Sequence, residues 1–271
     1  MSEISNFLTS RARAGLLPWS DQEACAQKFH VNLARVEERA LELGLLPARY
    51  QRNQKTLSTA HQLRLFQSRV AIIGCGGLGG YIVEELSRLG VGHLVVVDPD
   101  VFEEHNLNRQ LFSSTKTLGL PKVEAAEKRI SQINPAVTVT TSKVAFNSSN
   151  AGQILQGAQV AVDALDSIKT RLQLSGACKQ LEIPLIHGAI SGWYGQVAVQ
   201  YPGEDVLEKI YGGATADKGI EVQMGNPAFT PAVIASLQVA EVCKTILGLG
   251  PCRSSLFHVN LLEMEWTELK L

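Results

Sequence analysis

The sequence predicts an α/β fold: a doubly wound, mostly parallel sheet continued by antiparallel strands, with an N-terminal helical arm. Three observations predict it. Short apolar runs alternate with segments of helical period from Arg69 to Gly188, the rhythm of βαβ units. A glycine loop, GCGGLGG at Gly74–Gly80, joins the first of these strands to the first of these helices. After Gly192 the rhythm gives way to strand patterns separated by turn residues and one long helix.

The arm comes first, and the division expected is an appendage over 1–48 and a main domain over 49–271. Ser20-Asp21-Gln22-Glu23 has the form of a capping box, which predicts a helix starting there. Asn32 is placed to cap a second helix with Leu33, Val36, Ala40 and Leu43 on one face, stopped by Gly44 and Pro47. Two such helices fit a helix-turn-helix, but an arm packed on the main domain or on a second subunit is the favoured reading.

In the main domain, Val70–Gly74 is apolar throughout, as for a strand buried on both faces. Gly79–Leu89 carries Ile82, Val83, Leu86 and Leu89 at helical spacing, and Gly90 ends it. His93–Asp98 is the second strand. Lys122–Ile133 is a helix stopped by Asn134-Pro135, and Val137–Val144 a strand of β-branched alternation. Val160–Ala164, Thr170–Leu181 and Pro184–Gly188 add a strand, a helix and a strand. Gln196–Tyr201 reads as antiparallel, before a turn at Pro202-Gly203 and a glycine- and charge-rich connection to Asn226. A long helix follows Pro231 to Leu247, and Phe257–Leu262 with Met264–Leu269 form a closing pair.

Composition narrows the function. The 271 residues are 45% hydrophobic and 19% charged, with a formal net charge of −1. That balance gives no support for a nucleic-acid surface, which shows a basic excess. Runs such as Val70–Ile73 and Leu94–Val97 are too short to span a bilayer, and the first residues lack the apolar stretch of a signal peptide. Cys25, Cys75, Cys178, Cys243 and Cys252 form no CxxC pair and read as reduced thiols. A cytoplasmic protein is expected.

The chemistry centres on two loops. Gly74, Gly76 and Gly79 reproduce G-x-G-x-x-G, giving a Rossmann-like nucleotide loop: a tight turn, close phosphate approach and close helix packing, in that order. Asp98, at the end of the next strand, is placed to accept from ribose hydroxyls. On these residues alone an NAD-dependent enzyme is the default. The following loop changes the balance. Asn106, Asn108 and Arg109 come too soon after the strand to be buried in a helix, and an arginine here belongs at the surface or in an anion site. Lys122 opens a helix, against the helix dipole, which a bound anion would compensate. A triphosphate then fits better than a dinucleotide.

These residues resemble the ubiquitin-activating-enzyme-like adenylyltransferases, the MoeB/ThiF/HesA family, from Arg49-Tyr50-Gln51-Arg52 to about Gly250. The matching parts are GCGGLGG, Asp98–Val101, NLNRQ at Asn106–Gln110, Gly119–Lys122, Ile133–Pro135, Asp163–Asp166, Gly188 and Gly195-Gln196. The resemblance implies that Gly77 and its neighbours approach the phosphates of ATP and that Asp98 holds the ribose. It implies that Asn106 and Arg109 bind phosphate oxygens, with His105, Asn108 and Ser167 beside the nucleotide. Lys122 would sit at the phosphates, and Asp166 would coordinate Mg²⁺. Arg52 would enter a neighbouring subunit's site, making the catalytic unit a homodimer with Arg52, Arg109, Lys122 and Asp166 as catalytic groups. The implied reaction adenylates the C-terminal glycine of a small ubiquitin-like sulfur carrier ending in Gly-Gly. A family branch activating a carboxyl on a modified tRNA base and an NAD-binding Rossmann oxidoreductase are the alternatives.

The sequence departs from the family in its cysteines. Many members hold a structural Zn²⁺ through two CxxC pairs, and neither Tyr201–Asp205 nor the segment up to Leu271 supplies one, so no structural zinc is expected. The Pro202–Asn226 connection has no cysteine, which removes the basis for thioester chemistry there. Cys178 and Cys243, at helical spacing, read as core residues. Cys252, beside Pro251 and Arg253, carries no nucleophile signature. His187 reads equally as a packed, hydrogen-bonded residue and as a site group. Trp193 and Tyr194 are candidates for lining the carrier's tail channel.

Overall fold

The strand Arg69–Ile73 organises the molecule. Its residues alternate between two cores, Val70 and Ile72 on one side of the sheet and Ala71 and Ile73 on the other, as a strand covered on both faces requires. The computed structural model describes residues 3–217, 219, 224–250 and 255–271. Elements are numbered along the chain: α1 Glu3–Arg11, β1 Leu16–Leu17, α2 Trp19–Phe29, α3 Leu33–Glu42, β2 Leu46–Pro47, then a 3₁₀ turn at Ala48–Asn53. There follow α4 Thr59–Phe66, β3 Arg69–Ile73, α5 Gly77–Leu89, β4 His93–Val97, α6 Lys122–Ile133 and β5 Thr138–Ser142. The second half has α7 Ala151–Ile154, β6 Val160–Asp163, α8 Ile168–Gln180, β7 Leu185–Ser191 and β8 Tyr194–Gln200. It closes with α9 Val206–Tyr211, α10 Phe229–Leu247, β9 Ser255–Asn260 and β10 Glu265–Lys270.

The main sheet has the order β10-β9-β8-β7-β6-β3-β4-β5. Strands β5, β4, β3, β6 and β7 are parallel, and β8, β9 and β10 continue antiparallel. The chain moves outward through β3, β4 and β5, then returns to β6 on the other side of β3. The switch point therefore lies between β3 and β6, where a ligand crevice opens beyond the strand ends.

Helix α10 covers one face of β7 and β8 and packs along α5. Two glycines permit that approach. A Cβ on Gly188 would lie 2.3 Å from Gln238 Cδ, and one on Gly195 would lie 2.2 Å from Ile234 Cγ1. By length and composition α10 is the one helix among the described residues apolar enough to cross a bilayer, and here it is a core helix of the sheet.

Several local expectations are corrected. Helix α2 starts at Trp19 with Pro18 as N-cap and no side-chain cap, so Ser20–Glu23 is not a capping box but the helix's first turn. Asn32 does cap α3, accepting from the Arg35 N–H at 2.8 Å. Strand β7 runs on to Ser191 and turns through Gly192-Trp193 into β8. Helix α10 begins at Phe229, with Pro231 inside its first turn, where no intrahelical N–H bond is lost. Helices α1, α4, α7 and α9 were not predicted, although α4 carries a start signal in Ser58, whose hydroxyl accepts from the His61 N–H at 3.1 Å. The arm has a core of its own (Leu8, Leu17, Cys25, Val36, Ala40). A second cluster of Leu41 and Leu46 with Tyr50, Phe66 and Ala136 ties it to the sheet domain. Part of the predicted connection before Asn226 (218 and 220–223) and Cys252 lie outside the described residues.

Candidate active site

The glycine loop folds as its spacing requires. Gly74 has φ +100° and a Cβ there would sit 2.5 Å from the Ala164 carbonyl oxygen, so it serves the turn from β3 into α5 where that turn passes the end of β6. A Cβ on Gly79 would lie 2.0 Å from the Gly74 oxygen, which fixes the close passage of α5 over its own strand. A Cβ on Gly76 or Gly77 would meet only side chains at ordinary contact distance, Gln110 at 3.5 Å and Arg109 and Pro231 at 3.7 Å. Gly76 is the N-cap of α5 and supplies no side-chain cap, leaving first-turn N–H groups to an outside acceptor.

A cavity of about 380 Å³ opens there, within the range of small-molecule sites. Gly74, Gly76, Gly77, Asp98, Arg109, Lys122, Asp166 and Ser167 all line it, so eight sequence-predicted residues from three connections, β3–α5, β4–α6 and β6–α8, converge. Gln110 lines it too, and its buried Oε1 has no hydrogen-bond partner. An orphaned acceptor, an uncapped helix N-terminus and two cations suit a ligand that combines hydrogen-bond donors with phosphates.

Asp98 Oδ2 accepts from the Cys75 N–H at 2.7 Å and Oδ1 from the Asp100 N–H at 2.9 Å. Burial raises its pKa, opposed by Lys122 and by these two hydrogen bonds. Lys122 Nζ lies 2.8 Å from Asp100 Oδ2 and 3.8 Å from Asp98 Oδ1. The anions compensating this lysine are thus the chain's own carboxylates, which the sequence argument assigned to a ligand. Arg109 donates to the His105 carbonyl at 3.1 Å and to Asn108 Oδ1 at 2.8 Å. Burial lowers its pKa, and the Asp166 carboxylate opposes that. Ser167 caps α8, accepting from the Thr170 N–H at 3.1 Å and donating to Asp217 at 2.7 Å.

Four predicted side chains are not brought to the cavity wall. Asn106 is buried and its Oδ1 accepts from the Glu103 N–H at 3.0 Å, so it shapes the loop instead of facing a phosphate. Asn108 Nδ2 donates to the Asn226 carbonyl at 3.1 Å while its Oδ1 holds Arg109, making it a brace for that guanidinium. His105 is exposed beside Glu103, at 3.3 Å. Arg52 sits exposed on the Ala48–Asn53 turn, also away from its own chain's cavity. Cys75 and Cys178 are buried, and burial pushes the Cys178 thiol up to about 12, which leaves it protonated.

A second cavity of about 230 Å³ lies beside the first, lined among others by Arg171, Tyr194, Gln196, Tyr211 and His258. A narrow pocket shares Gly77, Arg109 and Asp166 with the first cavity and Arg171 and Ile190 with the second. Behind it, His187 Nε2 lies 3.1 Å from the Tyr211 hydroxyl, and Gln196 Nε2 donates to that hydroxyl at 2.7 Å. Trp193 stands in the β7–β8 turn, half-exposed against Phe229 at 4.5 Å, and of the aromatic pair it is Tyr194 that lines the second cavity. Gln110, Arg171 and Tyr211 escaped the sequence reading. Gln110 at least stood within the quoted NLNRQ run, whereas α9 gave Tyr211 no signal.

Residues 50–271 match the family model described as the ThiF family. The chain belongs to the ThiF family. This ThiF-family chain is 35% identical over 217 residues to the sulfur carrier protein adenylyltransferase of Thermus thermophilus, covering 77% of this chain and 80% of that one. It is 31% identical over 216 residues to the molybdopterin-synthase adenylyltransferase of Escherichia coli, with 78% and 86% covered. The SAMP-activating enzyme E1 of Haloferax volcanii is 35% identical over 191 residues, with 70% and 71% covered. Among solved structures, E. coli MccB with ATP shares the fold at TM-score 0.66 and 20% identity, over 92% of this chain and 82% of that one. E. coli tRNA N6-threonylcarbamoyladenosine dehydratase with ATP does so at TM-score 0.63 and 22% identity, over 74% and 94%.

Proposed function

We propose that this ThiF-family chain is an adenylyltransferase that uses ATP to activate the C-terminal glycine carboxylate of a small ubiquitin-like sulfur-carrier protein. The names of the relatives support the reaction class and the carrier. The observation that carries the reading in this chain is the placement of Gly77, Arg109 and Asp166 in one wall between two joined cavities. A nucleotide in the larger cavity and an extended tail in the smaller would meet there.

ATP would place its phosphates at the α5 N-terminus and its ribose near Asp98. Asp166 would hold Mg²⁺, which supplies charge shielding between phosphate oxygens and is suited to one protein carboxylate completed by phosphates and water. The carrier carboxylate is ionised at neutral pH and needs no general base. Its oxygen bonds to the α-phosphorus as the bond to pyrophosphate breaks, giving an acyl-adenylate and pyrophosphate. Arg109 lowers the cost of bringing two anions together, and Asn108 holds it in place for that task. In a homodimer, Arg52 would complete the neighbouring site.

The test is carrier-dependent ATP–pyrophosphate exchange in Mg²⁺, with the carrier obtained by pull-down of a small protein ending in Gly-Gly and its adenylate detected by mass. Exchange lost in Asp166→Ala and Arg109→Ala supports the site. Exchange retained in both, or adenylation of purified tRNA instead of a carrier, overturns the reading.

A further inference from the structure

The turn that carries Arg52 is held by a buried polar cluster reaching back into the arm. The Tyr50 hydroxyl donates to Glu37 Oε1 at 2.5 Å and accepts from Asn134 Nδ2 at 2.7 Å. Glu37 and Tyr50 are fully buried, and Asn134 almost so. Asn134 Nδ2 also donates to the Ser87 carbonyl at 3.1 Å, and Asn134 Oδ1 accepts from Arg49. The hydroxyl occupies the space a side chain at Gly90 would need, since a Cβ there would lie 2.3 Å from it. On the other side, the Arg49 guanidinium stacks over the Trp19 ring at 4.7 Å. Three separate elements, α2 through Trp19, α3 through Glu37 and the end of α6 through Asn134, therefore clamp Arg49 and Tyr50.

Glu37 is an unusual choice for this place. Its Oε2 is buried without a hydrogen-bond partner, and an apolar residue would fill the same volume without that desolvation cost. What the carboxylate adds is direction: it fixes the hydroxyl of Tyr50, two residues before the exposed Arg52 on the same 3₁₀ turn.

We infer that Glu37 is a positioning residue that acts through Tyr50, so that the N-terminal arm sets how Arg52 is presented to the nucleotide phosphates of a second copy. This rests on the reading that Arg52 serves a neighbouring site. A pre-set turn delivers the guanidinium without the entropy of ordering it at each encounter.

The experiment measures the affinities of ATP, with Mg²⁺, and of adenosine for the full chain by isothermal titration. Adenosine lacks the phosphates, so the ratio of the two affinities reports the Arg52 contact. Arg52→Ala is expected to lower that ratio about tenfold, the worth of one charge-assisted hydrogen bond. Tyr50→Phe and Glu37→Gln are each expected to lower it several-fold, and neither is expected to lower it further in the Arg52→Ala background. A fall of equal size in both backgrounds would mark a merely structural role and overturn the proposal, as would an unchanged ratio in both single variants. An unchanged ratio in Arg52→Ala itself would instead overturn the neighbouring-site reading, and the proposal with it. Thermal unfolding of each variant guards against misfolding, and Tyr50→Phe, which removes one oxygen atom, remains usable if Glu37→Gln is too unstable.

Discussion

Asp163 Oδ2 and His187 Nδ1 meet at 2.7 Å, with neither side chain reaching solvent. The pair joins register partners of two adjacent parallel strands, Asp163 at the end of β6 and His187 within β7. His187 Nδ1–H donates to the carboxylate, which leaves Nε2 as the acceptor facing the Tyr211 hydroxyl and the Gln196 amide.

Burial lowers the His187 pKa below its ordinary value of 6.5, and the Asp163 carboxylate only partly opposes this. Below that value the unfolded chain takes up a proton that the folded His187 does not, so stability falls with falling pH. The midpoint of urea unfolding is expected to drop between about pH 7 and about pH 5.5. His187→Gln should flatten that slope. An identical slope in the variant would remove His187 as its source.

Gly79→Ala is expected to disrupt the nucleotide loop, because its methyl would press on the Gly74 carbonyl oxygen from 2.0 Å. Backbone must move, at a cost of about 3 kcal/mol or more. Thermal unfolding should register the loss, whereas Gly152→Ala, at an open helical position, should register none or a small gain. Equal melting of the two variants would contradict this account of the loop.

His105 and Arg109 share one loop but face different surroundings. Arg109→Ala is expected to reduce carrier-dependent exchange about 100-fold, in the range of a lost transition-state donor. His105→Ala should leave exchange within about twofold, since the imidazole is exposed and pairs only with a surface glutamate. A large loss in His105→Ala would place that imidazole at the nucleotide after all.

The arm's helix starts are separable by substitution. Asn32→Ala removes the side chain that caps α3 and should cost about 1 kcal/mol in denaturant unfolding. Ser20→Ala should cost nothing and may be compared directly, because Ser20 lies inside the first turn of α2 with no capping bond. A loss at Ser20 equal to that at Asn32 would restore the capping box.

The order and type of the central elements were legible because local pattern and burial agree there. Strand β3 is apolar at every inner position and buried on both faces, and α5 runs from the glycine loop to Gly90, whose φ of +75° ends it. Helices α1 and α9 were not legible. Their stability comes from packing, Leu8 in the arm and Val206 and Leu207 against the sheet, more than from capping signals in the chain itself.

The same division runs through the site. By itself the sequence determined which loops meet, since glycine spacing and strand order carry Gly76, Gly77, Asp98, Arg109, Lys122, Asp166 and Ser167 to one crevice at the switch point. It did not determine which way each side chain turns. Lys122 faces Asp98 and Asp100, Asn106 and Asn108 spend their hydrogen bonds inside the loop, and Glu37 reaches Tyr50 from the arm. Such choices depend on partners brought together only by folding, because a buried polar group must find its donor or acceptor wherever the tertiary structure supplies one.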